Sequence, residues 1–230
     1  MLCHWIDKRW RPPAHFYHFR AGGHVAAARL HQDAAFLLTM DLRRFFDQVS
    51  RTKVHRALRA IRFSSADAYD LSCQATVMKD RALRAYSLPL GFVQSMHLAS
   101  LALDRSALGR AIRGVIQSGV RVSVYVDDVI LSADREDMLN AARECLEAGA
   151  QTASFAFHPD KCHGPADTVP AFNLRIGRRQ LIVSNTRFAQ FLDTVRRAPS
   201  SRAEAVIAYV ATVNVAQARA LAVARAAAGF

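Results

Sequence analysis

The chain has 230 residues, of which 51% are hydrophobic, and its 31 Lys+Arg outnumber 19 Asp+Glu to give a formal net charge of +12. This length is enough for one large domain, or a core with an appendage, and the charge suits a polyanionic partner. Four scattered cysteines with no Cys-x-x-Cys pair exclude a disulfide scaffold and predict reduced, mostly buried thiols in a cytoplasmic protein.

In chain order, Met1-Leu2-Cys3-His4-Trp5-Ile6 is stopped at once by Asp7 and Lys8, so no signal peptide is expected. Residues 1–62 are rich in Arg and Lys. Phe36-Leu37-Leu38-Thr39-Met40 reads as a strand that ends on Asp41, with Leu42-Arg43-Arg44-Phe45-Phe46-Asp47 after it. Ser50 caps a predicted helix over 51–61, with Val54, Leu58 and Ile61 on one stripe. Leu88-Pro89-Leu90-Gly91-Phe92-Val93-Gln94-Ser95 is a punctuated loop. It opens onto an apolar helix carrying Leu98, Leu101, Ala102, Ala107, Leu108 and Ile112, which Gly114 is expected to end.

Valine-rich alternation on both sides of Asp127 and Asp128, from Val122 to Ser132, predicts a β-hairpin with the two carboxylates at its tip. Adjacent like charges repel, and a shared cation would relieve them; taken alone, such a pair also reads as a solvated turn. Asp134 and Asp137 open a helix with Met138, Ala142, Cys145 and Leu146 that Gly149 is expected to close, before a strand over 153–157. His158, Cys162 and His163 cluster but lack a fourth ligand for structural zinc. Beyond Arg187, the residues Phe188, Phe191, Leu192 and Val195 share a helical face, Pro199-Ser200-Ser201 breaks it, and a long Ala-rich helix follows. Glu204, Asn214, Gln217, Arg219 and Arg225 interrupt that helix, which argues against a membrane span.

Strand, helices, hairpin, helix, strand is an α+β order of the split βαβ, ferredoxin-like kind. It carries the end of the Asp41 strand to the Asp127–Asp128 turn, 86 residues away (127 − 41). Three carboxylates so gathered, in a basic chain, offer the hard oxygen ligands that Mg²⁺ requires.

Asp41 followed by two aromatics, Leu88-Pro89-Leu90-Gly91, Tyr125-Val126-Asp127-Asp128, Phe157-His158-Pro159-Asp160-Lys161 and Ala171-Phe172-Asn173-Leu174 stand in the order of polymerase palm motifs A to D and the hairpin after them. Over roughly residues 15–180 the chain resembles a bacterial reverse transcriptase, nearest the retron-like and defence-associated groups, where forms like Gly91-Phe92-Val93-Gln94-Ser95 occur. The resemblance implies a reduced fingers or basic segment at 1–35, a palm at 36–183, and a helical thumb or oligomerisation region at 184–230. It implies RNA-templated DNA synthesis with two Mg²⁺ ions (Mn²⁺ as the alternative) about 3.5–4 Å apart.

In that reading Asp41 and Asp127 bind metal directly, and Asp128 binds it or orients the site. Leu42, Phe46, Gly91 and Lys161 meet the nucleotide: the Phe46 ring excludes a 2′-hydroxyl while Phe45 packs in the core, and Lys161 neutralises or protonates the leaving pyrophosphate. Arg20 and Arg29, flanking Gly22-Gly23, are candidates for triphosphate or template contact, and Asp47 is read as a solvated or capping acid. The implied partners are an RNA template (a dedicated non-coding RNA is one form), the DNA product and deoxynucleoside triphosphates. Membrane is not among them, self-association through the C-terminal helix stays open, and antiviral defence is the implied setting. Three departures stand out: Leu90 where many members have Gln, Met96 for the usual Pro, and only forty residues before Asp41. A template-independent nucleotidyltransferase and a non-catalytic RNA-binding scaffold are the competing readings.

Overall fold

The computed structural model describes residues 2–228. It opens with α1 (Leu2–Asp7), a 3-10 turn at Tyr17–Phe19 and α2 (Gly23–Arg29), then β1 (Phe36–Asp41). Next come α3 (Phe45–Gln48), α4 (Arg51–Ala60), α5 (Ser65–Ala75), the short hairpin β2 (Val77–Asp80) and β3 (Ala85–Ser87), α6 (Ser95–Asp104) and α7 (Ala107–Gln117). The hairpin β4 (Arg121–Tyr125) and β5 (Asp128–Ala133) leads to α8 (Glu136–Thr152), a 3-10 turn at Pro159–Lys161 and β6 (His163–Ala166). A meander of β7 (Thr168–Ala171), β8 (Leu174–Gly177) and β9 (Gln180–Val183) precedes α9 (Asn185–Arg197), α10 (Ser200–Val213) and α11 (Val215–Ala226).

The principal sheet has strand order β4-β5-β1-β6, antiparallel throughout, which is the expected ferredoxin-like arrangement of an α+β palm. Alternation along its strands divides the molecule into two cores. Leu38, Met40, Leu42, Val122, Val124, Val129 and Leu131 face one core with buried residues of α4, α6, α7 and α8. Leu37 and Ile130 face the other, which they share with β7–β9, α9–α11, and Val25 and Ala28 of α2. The C-terminal helices therefore pack directly on the palm.

The N-terminal segment is tied to this frame by polar contacts. Trp10 Nε1–H donates to the buried Asp104 Oδ2 (2.9 Å), whose other oxygen accepts from Arg113 (2.6 Å). The Val124 N–H donates to the His15 carbonyl (2.7 Å), and Phe16 bridges Val124 in parallel beside β4. His31, fully buried, sits between Ser132 Oγ (2.7 Å) and Ser123 Oγ (2.8 Å).

Several expected boundaries shift, each for a local reason. The helix predicted to run from Leu98 to Gly114 is two helices: Ser106 donates to the Leu103 carbonyl and caps the Gly109 N–H, so α6 stops and α7 starts there. Gly114 lies inside α7. Gly149 does not close α8; it lies within it, where a Cβ would come 2.8 Å from the Cβ of Ala111 on α7. The strand expected at 153–157 is absent except for a Leu42–Phe157 bridge, since Ser154 turns at φ +54. β6 takes the fourth place in the sheet instead. The Ala-rich C-terminal helix is also two, divided at Asn214, whose side chain caps α11 at the Gln217 N–H. The β2–β3 hairpin was not foreseen. The cysteines are free as expected, but three are half-buried and Cys145 is exposed. No helix among the described residues is long and apolar enough to cross a membrane.

Candidate active site

β1 and β5 run in register so that Asp41 stands opposite Asp128, and Tyr125 opposite Asp128 closes a two-residue turn at Val126–Asp127. Asp128 thus begins a strand instead of sharing the tip. By alternation Asp41 lies on the Leu37 side of β1 and Asp128 on the Ile130 side of β5, the face away from α4 and α6–α8. Main-chain bonds lock this junction: the Leu42 N–H donates to the Asp127 carbonyl (2.9 Å) and the His158 N–H to the Asp41 carbonyl (2.7 Å). Val126 adopts φ +60, a left-handed conformation that costs a β-branched residue about 1–3 kcal/mol and persists only where neighbours enforce it.

Partial burial raises the carboxyl of Asp128 to about 7, helped by the charges of Asp127 and Asp41 and opposed by Lys161. Asp127 is raised as well, by burial first and by the Asp41 charge. Lys161 Nζ donates to Asp41 Oδ2 (3.1 Å), and this bond raises the lysine pKa. Three acids share one exposed lysine, so the site is short of positive charge. That is the chemistry a hard divalent cation would satisfy. Among the described residues, no three Asp, Glu, His or Cys side chains are already grouped around a metal position. The carboxylates fit metal ions whose remaining ligands come from substrate phosphates and water.

Phe45 is in the core, 5.9 Å from the Phe155 ring, whereas Phe46 is only half-buried. Phe45 is thus the packing ring expected, and Phe46 is the partly exposed one of the pair. Gly91 has φ +92, which requires glycine, and a Cβ there would meet nothing within 4 Å. The backbone geometry, more than crowding, explains the residue, and Leu90 and Val93 beside it are 81% and 85% exposed. Leu42, expected at the nucleotide, has its side chain wholly in the core and its N–H taken by Asp127; it serves the site by holding the strand register. Arg20 donates to the Ala14 carbonyl (2.7 Å) and lies over the Tyr17 ring, and Arg29 donates to the Thr212 carbonyl on α10 (2.6 Å). Neither pairs with the three acids. Asp47 is an exposed partner of Lys79 (2.8 Å).

Two features escaped the sequence reading. His18 Nδ1 accepts the Val126 N–H (3.0 Å) while Nε2 meets Ser100 Oγ (2.8 Å). Beside the carboxylate turn, Tyr125 joins His24, Phe172, Phe191 and Tyr209 in an aromatic cleft of about 560 Å³ that Arg187 and Arg202 edge with positive charge. Phe172-Asn173 forms the β7–β8 tip that lines it, both residues at positive φ. The only sequence signal was the aromatic spacing of α9, because the cleft is assembled from five separate segments.

A family model described as "Reverse transcriptase (RNA-dependent DNA polymerase)" matches residues 8–174. No curated protein matches the sequence. The telomerase of Candida albicans, solved in complex with a TWJ fragment of telomeric RNA, superposes with a TM-score of 0.57 at 11% identity, covering 85% of this chain and 41% of that one. A foamy viral protease-reverse transcriptase in complex with double-stranded DNA gives 0.54 at 12% identity, covering 91% of this chain and 38% of that one. The chain thus spans about two fifths of either protein, and the likeness shows a shared palm fold.

Proposed function

This chain belongs to the reverse transcriptase (RNA-dependent DNA polymerase) family, and from that premise we propose that it extends a primer with deoxynucleotides on an RNA template. The observation that carries the reading is the pairing of Asp41 with Asp128 across β1 and β5, with Asp127 in the adjoining turn. Asp41 and Asp127 would hold two Mg²⁺ ions, with Mn²⁺ as the alternative, and Asp128 would bind or orient them. When bound, such ions activate a primer 3′-hydroxyl and stabilise the departing pyrophosphate. Lys161, bonded to Asp41 in this structure, is within reach to exchange that carboxylate for a phosphate oxygen and to protonate the leaving group. Phe46 borders the sugar, and the cleft beside Tyr125 suits a nucleic-acid strand, its rings stacking on bases and its arginines meeting phosphates.

Asp127→Asn and Asp41→Asn, each folded as the wild type, should abolish divalent-dependent incorporation on an RNA template. Incorporation at the wild-type rate by either variant would move the active site elsewhere. From the motif resemblance, the proposal extends to a cytoplasmic bacterial enzyme of antiviral defence that copies a dedicated non-coding RNA. Sequencing the nucleic acid that co-purifies should give one RNA species joined to DNA; a broad sample of cellular RNA without DNA would remove that extension.

A further inference from the structure

The aspartate turn is strained at Val126 and cannot hold that conformation by its own chemistry, since a β-branched residue disfavours positive φ. What meets it is a side chain 108 residues earlier in the chain. His18 follows the Phe16–Val124 bridge, so the segment 15–18 lies along β4 and ends with its imidazole at the turn. The Val126 N–H donates to Nδ1 at 3.0 Å, which places the ring proton on Nε2, where it points to Ser100 Oγ at 2.8 Å. Ser100 is buried on α6, the helix that follows the Pro89–Gly91 loop. The ring is stacked on Phe16 (centroids 5.5 Å apart) and makes a T-shaped contact with Tyr125 (6.0 Å), and these contacts restrain its orientation.

We propose that His18 is a positioning residue for the polymerase reaction: by accepting the Val126 N–H and donating to Ser100, it holds the Asp127–Asp128 turn in its strained form and ties it to the nucleotide-side helix α6. This inference rests on the catalytic reading of that turn but predicts a property of the turn itself. Burial draws the His18 pKa down to about 4, so the neutral ring keeps its acceptor lone pair at neutral pH. Asn can place an acceptor oxygen near the Nδ1 position, whereas Leu keeps bulk without an acceptor. Ser100→Ala leaves the ring in place and frees it to adopt the other tautomer, which cannot accept from Val126.

The test compares wild type, His18→Asn, His18→Leu and Ser100→Ala by amide hydrogen exchange over residues 122–130 and by steady-state incorporation. The expected result is fast exchange of the Val126 amide in His18→Leu, restored protection in His18→Asn, and an intermediate value in Ser100→Ala. The kcat should fall tenfold or more in His18→Leu with little change in KM, and recover in His18→Asn. Wild-type protection and kcat in His18→Leu would overturn the proposal, as would a His18→Asn variant no better than His18→Leu. If His18→Leu fails to fold, Ser100→Ala decides by the same two measurements. A wild type with no incorporation would count against the polymerase reading, while the exchange data would still judge the clasp.

Discussion

Phe45 and Phe46 are chemically identical neighbours, yet one is sealed in the core and the other is only partly covered where it packs against that core. Truncating each should therefore do different things. Phe46→Ala should raise ribonucleotide use relative to deoxynucleotide use roughly tenfold or more, read as the ratio of kcat/KM values for the two sugars. Phe45→Ala should leave that ratio unchanged and lower stability by ~3–5 kcal/mol through a core cavity, seen in denaturant unfolding. An exchange of phenotypes would reverse the gate and core assignments. Asp104 makes a second residue-scale case, since it is buried and receives both Trp10 and Arg113. Asp104→Ala strands the buried indole N–H, while the half-exposed Arg113 keeps the Asp104 carbonyl, and should cost about 1–3 kcal/mol in a denaturation measurement without altering the carboxylate site.

The element with the most unusual chemistry is the hairpin β4–β5, whose face away from the first core carries Ser123 and Ser132 with His31 between them. Burial first, and the Arg121 charge second, pull the His31 pKa down from 6.5 to about 3. A base depressed in the folded state binds a proton more readily when unfolded. Its contribution is complete above pH 6.5 and is lost as pH falls from 6.5 towards 3, at up to about 1.4 kcal/mol per pH unit. His15 and His18, each lowered to about 4 mainly by burial, act in the same direction. Urea unfolding between pH 7 and pH 4.5 should show stability falling with acidification, and His31→Asn should flatten the slope by about one proton. A pH-independent stability over that range would contradict the assignment of neutral buried rings. The acid-labile part is expected to be the attachment of the N-terminal segment to the palm, because all three histidines stand at that join.

At the scale of the whole molecule, the net charge of +12 is read against an acidic site, and only the distribution reconciles them. Three acids gather where the end of β1 meets the β4–β5 turn, while arginines such as Arg187 and Arg202 edge the aromatic cleft next to it. If that cleft and its surroundings hold a strand, the affinity for single-stranded RNA should fall with salt, log K losing about 0.7 per neutralised phosphate for each tenfold rise. Arg187→Ala with Arg202→Ala should reduce the slope and weaken binding, measured by fluorescence anisotropy. Binding that is flat with salt would make the basic composition incidental.

How much of this was legible before folding depends on the range of the cause. Alternation in Phe36–Asp41 and around Asp127–Asp128, the Ser50 cap and the Pro89–Gly91 loop are set by neighbours within a few residues, so the strands, α4 and the three acids could be read directly. The order of those elements was enough to place Asp41 beside Asp128, because few connections satisfy a split βαβ unit. Helix ends at Ser106 and Asn214 were missed because a polar side chain inside an apolar run caps or passes unnoticed according to its rotamer. Which residue fills the fourth strand, that Leu42 is core and not contact, and that His18 reaches the turn depend on atoms brought together from positions far apart in the chain. The sequence by itself determined the palm and its carboxylates, through local periodicity and motif order. Tertiary structure alone decided what supports them, because burial and long-range hydrogen bonds have no signature in the spacing of residues.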